Sequence, residues 1–401
     1  MTSFDTDLSR RLDALREQGL YRELRRIDSA QSPRIVLDGK SLLNFSSNDY
    51  LGLANEPSLK VAACEAVERY GAGTGASRLI CGSLAPHHEL DELLAQFKDT
   101  DAALSFSTGY AAALGTICAL VAKGDIIVID KLVHASIVDA ARLSGAALRI
   151  FDHNDLDDLE TILKWAVAKT NTQAPAKQSS RTLVVTESVF SMDGDHAPLR
   201  ELVELKEKYG AWLMVDEAHA TGLYGPNRRG LAEAMGVSNH IEVQMGTLGK
   251  AIGASGGYIS GSRPLIDYLI NRSRSFIFST APVPAAAAAA TAGIRFVQSS
   301  AGAERLAALQ KRLAEFHAPQ QSPFYSAIIP VIIGDETKAV EAAAHLRNQG
   351  IFIPAIRYPT VARGTARLRL TFSAAHAPLD IQQLRSALRL VLPIVPKTEM
   401  A

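Results

Sequence analysis

Lys250 stands in "GTLGKAIGASGGYI" (residues 246–259) among Gly249, Ala251, Gly253, Ala254, Gly256 and Gly257. Neighbours this small let another body come close to the amine. Elsewhere, titratable and hydroxyl side chains collect just after apolar runs. Glu187 and Ser191 follow "TLVVT", Asp216 and His219 follow "AWLMV", His134 follows "DIIVID", and Thr247 with Lys250 follows "IEVQM". Singly, each has a plain reading: the histidines as hydrogen-bonded structural residues, Asp216 as a turn cap. Their shared position argues for more, since a carboxylate at the end of an apolar strand needs a partner, and a protonated ring nitrogen suits it.

The elements that must position these residues show in the hydrophobic pattern. Strands are predicted at "AALSF", "DIIVID", "ALRIF", "TLVVTE", "AWLMVDE" and "IEVQMG", and helices at "GYAAALGTICALVA", "LDDLETILKWAVAK" and "LRELVELKEKYG". Regular exchange of strand and helix implies a mostly parallel sheet covered on both faces, with ligands beyond the carboxyl ends of its strands. That is where the reactive residues fall. The turn "SFSTGYAAALG" then presents helix-start N–H groups at Gly109 and Tyr110 that can bind a phosphate, or is an ordinary turn capped by Ser107 or Thr108. The expected division is a helical arm over 1–45, a large α/β domain over 46–285 and a smaller α+β domain over 286–401. The last would hold "SAIIPVIIG", "TKAVEAAAHLRNQG", "IFIPAIRYP", "ARLRLTFS" and "DIQQLRSALRLVL".

Bulk properties narrow the partners. The 401 residues are 47% hydrophobic, enough for a large core, and 42 basic residues balance 42 acidic ones. That balance leaves no excess charge for nucleic acid or an anionic membrane. Cys64, Cys81 and Cys118 lack zinc spacing and are expected as reduced core thiols in a cytoplasmic protein; the charged N-terminus has no signal-like apolar stretch. "PVPAAAAAATAGIRFV" is expected as a buried helix rather than a membrane span. Three motifs are set aside. "GTLGKA" lacks the first glycine and the Ser or Thr of a P-loop, "VDEAH" has no P-loop to serve, and "GAGTGAS" follows no strand. His87, His88 and Glu89 lack helical metal spacing and are expected at a solvated helix start. No metal site is expected.

One cofactor uses the whole set. Pyridoxal phosphate needs a lysine for an imine, an acid for its pyridinium nitrogen and donors for its phosphate; Lys250, Asp216 and the Gly109 turn can supply them. Over nearly its whole length the chain also resembles the α-oxoamine synthase family of fold-type I pyridoxal-phosphate enzymes. The resemblance is carried by "GLYR", "FSSNDYLGLA", "GAGTGASRLICGSLAPHHELDELLAQF", "HASIVDAARLSG", "ESVFSMDGDHAPL", "VDEAHATGLYG", "GTLGKAIGASGGYI" and "AIRYPTVARGTARLRLTFSAAH".

The resemblance implies a large domain with a seven-stranded, mostly parallel sheet, a smaller C-terminal domain and a homodimer. It gives Lys250 the cofactor imine, Asp216 the pyridinium nitrogen, His219 the phenolic oxygen and His134 the ring face. Gly109, Tyr110, Ser191 and Thr247 match positions that bind the cofactor or its phosphate, and Glu187 matches a ring-edge position. Ser279 and Thr280 in "FIFSTAPVP" would lend a phosphate contact across the dimer. Arg22, Asn48 and Thr360 match substrate contacts; Arg369, with Arg357 as rival, would take the amino-acid carboxylate. Tyr358 stands where the family commonly has proline. "SMDGDHAPL" and "GTARLRLTFSAAH" tilt toward the branch that joins L-alanine to a pimeloyl thioester, carried on CoA or an acyl carrier protein. The rivals are glycine-using sister synthases and a non-catalytic subunit of the same fold.

Overall fold

β-Branched and aromatic runs become strands throughout the computed structural model, which describes residues 2–172, 180–316 and 326–391. In chain order the strands are β1 (Arg34–Leu37), β2 (Lys40–Asn44), β3 (Ala102–Phe106), β4 (Ile126–Asp130), β5 (Ala147–Phe151), β6 (Thr182–Glu187), β7 (Trp212–Asp216), β8 (Val243–Thr247), β9 (Gly257–Gly261), β10 (Ile328–Gly334), β11 (Ile351–Phe352), β12 (Ala355–Ile356) and β13 (Ala366–Thr371). Contacts divide the chain into two compact units, one of residues 51–191 with 195–306, the other of 1–50, 192–194 and 307–401.

The larger unit is built on a seven-stranded sheet in the order β3-β9-β8-β7-β6-β4-β5. All neighbours run parallel except β9, which is antiparallel to both β3 and β8. Every residue of β3, β4 and β9 is buried, as in a sheet with both faces covered. At the edge, β5 exposes Arg149 and Ile150. β9 is the strand that the hydrophobic pattern does not announce. Its glycines have a steric reason: a Cβ on Gly257 would lie 2.6 Å from the Gly109 Cα, so no larger residue fits where β9 passes the start of the helix Gly109–Leu120. The alanine-rich segment forms the helix Pro284–Gln298, which buries Ala287, Ala290, Ile294 and Val297 and packs on the helix Pro57–Tyr70.

Two expectations are corrected in this unit. Cys64 and Cys81 are exposed and Cys118 half-buried, so these thiols are not core residues. His87 is fully buried rather than solvated: its Nδ1 accepts from Leu84 N–H (3.0 Å), its Nε2 meets the Pro282 carbonyl (2.7 Å), and desolvation lowers its pKa. Of the two histidines at that helix start, His88 is the exposed one.

The smaller unit contains two three-stranded sheets, β1-β2-β11 and β10-β13-β12. Asp38 and Gly39, both with positive φ, make the two-residue turn of the β1–β2 hairpin, the turn that an Asp-Gly pair favours. Ile35, Leu37 and Leu42 form a buried cluster with Ile27 and Phe352, while Phe45 stacks on His376 and meets Phe372 edge-on. The N-terminal helix Ser3–Glu17, capped by Thr2, buries none of its residues. Among the described residues no helix is long and apolar enough to cross a membrane.

Candidate active site

The carboxyl ends of the central strands bring the reactive residues of the larger unit together. Glu187 closes β6 and Asp216 closes β7, directly opposite each other in the parallel register. Both are buried. Asp216 Oδ1 accepts from Ala218 N–H (2.9 Å), and Glu187 Oε2 accepts from Ser191 N–H (3.2 Å). Burial pushes both pKa values up. For Asp216 the Lys250 charge is the first opposing influence; for Glu187 the Asp216 charge adds to burial before Lys250 opposes it, and Glu187 rises well above the carboxylate range.

Lys250 lies in the turn after β8, where Gly253 N–H closes on the Lys250 carbonyl (2.9 Å) and Ala254 N–H on that of Leu248 (2.8 Å). Gly253 has φ +74°, and a Cβ there would press on Leu53, so the small residues around the lysine serve a tight turn. His134 caps the helix Ala135–Ser144; its Nδ1 accepts from Ser136 N–H (3.2 Å), which leaves Nε2 to carry the proton. Desolvation lowers its pKa, Asp216 raises it and Lys250 lowers it, so these three groups share one electrostatic environment. His219 is buried in the turn after β7.

The helix Gly109–Leu120 begins beside them. Thr108 accepts from Ala111 N–H through its hydroxyl (3.0 Å) and from Ala112 N–H through its carbonyl (3.1 Å). The N–H groups of Gly109 and Tyr110 are, by position, orphan donors of a helix start. A Cβ on Gly109 would lie 2.5 Å from Thr247 Cγ2, so the glycine keeps the helix start against the end of β8. Thr247 Oγ1 and Glu187 Oε1 are buried with no hydrogen-bond partner among the described residues. Tyr110 is half-exposed, its hydroxyl donating to Asp139 (2.6 Å). Ser279 and Thr280 line a small cleft with Ser105, Phe106 and Ser107, and Thr280 bridges to Ser77.

In the smaller unit, the quoted "GLYR" and "RYPT" segments meet. Arg22 donates to the Tyr358 carbonyl (3.3 Å) and Thr360 Oγ1 (3.4 Å), and Arg357 donates to the carbonyls of Gly19 and Tyr21. The Tyr358–Pro359 peptide is cis. Arg369 on β13 is buried and donates to Asn48 Oδ1 (3.1 Å). Its neighbour Arg367, which the sequence does not single out, pairs with Asp193.

Two polar clusters of the larger unit escape sequence reasoning. Lys98 and Glu217 form a fully buried ion pair (2.5 Å). His153 bridges buried Asp130 (3.0 Å) and Asp195 (2.7 Å), stands edge-on to Phe190, and is held protonated with its pKa raised to about 10. Burial alone would lower that pKa; the two carboxylates outweigh it. Neither cluster has a spacing signal, because Lys98 reads as a solvated lysine at a helix end and "FDHND" as a polar turn.

The sequence matches the aminotransferase class I and II family over residues 40–388. Relatives named 8-amino-7-oxononanoate synthase include those of Geobacter sulfurreducens (46% identical, covering 94% of this chain and 95% of the relative), Anaeromyxobacter sp. strain K (47%, 97% and 96%) and Herminiimonas arsenicoxydans (45%, 95% and 98%). Among solved structures, a lysine-to-alanine variant of a serine palmitoyltransferase from S. paucimobilis with a bound PLP–myriocin aldimine superposes with a TM-score of 0.88 at 30% identity, covering 98% of this chain and 99% of that one. An 8-amino-7-oxononanoate synthase from Francisella tularensis gives 0.71 at 27% identity, covering 88% and 97%.

Proposed function

The chain belongs to the aminotransferase class I and II family and, within it, to the 8-amino-7-oxononanoate synthases, and from that premise we infer its reaction. L-Alanine condenses with a pimeloyl thioester, releasing carbon dioxide and the free thiol and giving 8-amino-7-oxononanoate for biotin biosynthesis. The observation that carries this reading is the convergence of Asp216, Lys250, His134 and an open helix start on one end of the parallel sheet.

Pyridoxal 5′-phosphate fits these residues. Asp216 is a buried carboxylate suited to a cationic ring nitrogen, Thr247 Oγ1 is a buried hydroxyl in want of a partner, and the Gly109 turn offers N–H donors to a phosphate. Bound there, the cofactor supplies an aldehyde for an amine and a ring that accepts electrons from the substrate Cα.

The residues then divide the work. Lys250 would anchor the cofactor through Nζ, and its free amine would take the proton from the alanine Cα and return one to that carbon after carbon dioxide leaves. Asp216 would keep the proton on the ring nitrogen, and His219 would donate to the phenolic oxygen. His134 would border the cofactor ring and give its Nε2 proton to the thioester oxygen as the carbon–carbon bond forms and the thiol departs. Gly109, Tyr110, Ser191 and Thr247 bind the phosphate end, and Glu187 borders the ring. Arg22, Asn48 and Thr360 contact substrate. Arg369 takes the alanine carboxylate through two parallel bonds. The engagement of Arg357 with the carbonyls of Gly19 and Tyr21 supports that choice.

The active species is a cytoplasmic homodimer in which Ser279 and Thr280 reach the partner's phosphate. Exposed Leu79, Ile80 and Phe278 support an apolar interface near them. Mass spectrometry after mixing the holoprotein with L-alanine and pimeloyl-CoA, and separately with pimeloyl acyl carrier protein, tests the reading. 8-Amino-7-oxononanoate is expected; turnover only with glycine or L-serine, or only with a short acyl donor, would move the chain to a sister activity.

A further inference from the structure

Lys98 and Glu217 are buried to 2% and 0% exposure, and no step of the reaction above uses them. A buried ion pair is a poor source of stability, because desolvating two charges offsets most of their attraction. Its position gives it another use. Glu217 follows Asp216 directly and anchors the turn that leads to His219: its N–H donates to the Met245 carbonyl on β8 (2.8 Å), and its own carbonyl accepts from Ala220 (2.9 Å) and Thr221 (2.8 Å). Glu217 Oε1 accepts from Ala232 N–H (2.9 Å), fixing a second segment below the turn. Gly230, at φ +145°, leaves room for that carboxylate. Lys98, the last residue of the helix Ala85–Lys98, donates to Glu217 Oε2 and to the Arg229 carbonyl (2.6 Å), so three segments meet at one ammonium.

We propose that Lys98 and Glu217 act as a positioning pair for Asp216, Glu217 pinning the turn after β7 and Lys98 cancelling the charge that Glu217 sets beside the cofactor aspartate. This rests on the assignment of Asp216 to the pyridinium nitrogen. The groups that act on Asp216 are Lys250, His134 and Glu217, with Glu187 on the adjacent strand β6 and Tyr258 on β9, beyond β8. Without Lys98, Glu217 is an uncompensated anion next in sequence to Asp216 and makes Asp216 easier to protonate. A protonated Asp216 no longer holds the ring-nitrogen proton.

The test is pyridoxal-phosphate binding to the full-length apoprotein, followed by absorbance between about pH 5 and 8, with circular dichroism to check folding. Lys98→Met is expected to weaken binding about tenfold at the foot of the profile and to move its acid limb up by about one pH unit. The double variant Lys98→Met/Glu217→Gln, which removes both charges, returns the limb to the wild-type position. Glu217→Gln alone leaves Lys98 as a lone cation and moves the limb down, which keeps the test open if Lys98→Met does not fold. A folded Lys98→Met with an unmoved limb overturns the proposal. So does a double variant as displaced as the single, which would mean lost packing, or a Glu217→Gln limb that stays put or rises. Wild-type apoprotein that binds no pyridoxal phosphate would instead defeat the assignment of the cofactor.

Discussion

Glu187 and Asp216 face each other at the ends of neighbouring buried strands, and two adjacent carboxylates in such a place do not both ionise readily. The Lys250 charge is the first influence opposing the burial of Asp216, whereas Glu187 is raised further by Asp216 itself. Asp216 is therefore the more readily ionised of the two and Glu187 the more readily protonated. Glu187→Gln, which copies a protonated carboxyl, is expected to keep kcat within about threefold of wild type. Asp216→Asn should lower kcat by on the order of a hundredfold or more, since it removes the charge that holds the ring proton. Steady-state assays at pH 7 compare the two; equal losses would sink the division. Lys250→Ala should lose on the order of a thousandfold or more in turnover and the borohydride-reducible link to cofactor. At this scale the sequence is legible wherever a reactive residue directly follows an apolar strand, as Asp216 and Thr247 do. Lys98 and Glu217 are illegible because their meaning lies in a contact across 119 positions.

Elements carry the site through their ends, and the end of β4 is held by a clamp. Asp130 closes β4 and accepts from Leu132 N–H (2.7 Å) on the way to His134, while Asp195 lies beyond Ser191 after β6. His153 ties the two segments by ionic hydrogen bonds. Its folded pKa, about 10, lies above the ordinary histidine value of 6.5, so its contribution is complete below pH 6.5 and is lost as pH rises through about 10. His153→Asn is expected to lose about 2 kcal/mol of stability at pH 6, because it leaves the buried Asp130 carboxylate without its partly buried cationic partner. Denaturant melts of both proteins should converge as pH approaches 10; a gap that stays constant with pH would refute the ionic clamp. The parallel strands of this sheet are readable because burial on both faces makes them continuous apolar runs. β9 is not, since Gly257 and Gly261 answer to the close approach of Gly109 and of the Glu242 carbonyl rather than to strand propensity.

For the molecule as a whole, sequence distance misleads most at the N-terminus, where an arm followed by an extended piece reads as an appendage. Part of it is structural. β2 pairs with β11, the Phe45 carbonyl accepts from Thr371 N–H (2.8 Å), and His376 reaches the Asn44 carbonyl (2.9 Å), so residues near 44 complete the unit formed by residues 307–401. Ile35, Leu37, Leu42, Leu43 and Phe45 are all buried there. At roughly 1.5–3 kcal/mol each, their burial matches the whole net stability of an ordinary domain, about 5–15 kcal/mol. The helix Ser3–Glu17 buries nothing, and its ion pairs join side chains within the helix itself, mostly exposed. Surface pairs of that kind contribute little. Deleting residues 2–17 is therefore expected to shift the thermal midpoint by no more than about 4 °C, the equivalent of about 1 kcal/mol. Deleting residues 2–46 should abolish cooperative unfolding of the smaller unit. Calorimetry of the two truncated proteins separates these outcomes: a large loss from the short deletion would give the first helix a packing role, and an intact second transition after the long one would refute the place of β1 and β2 in that core.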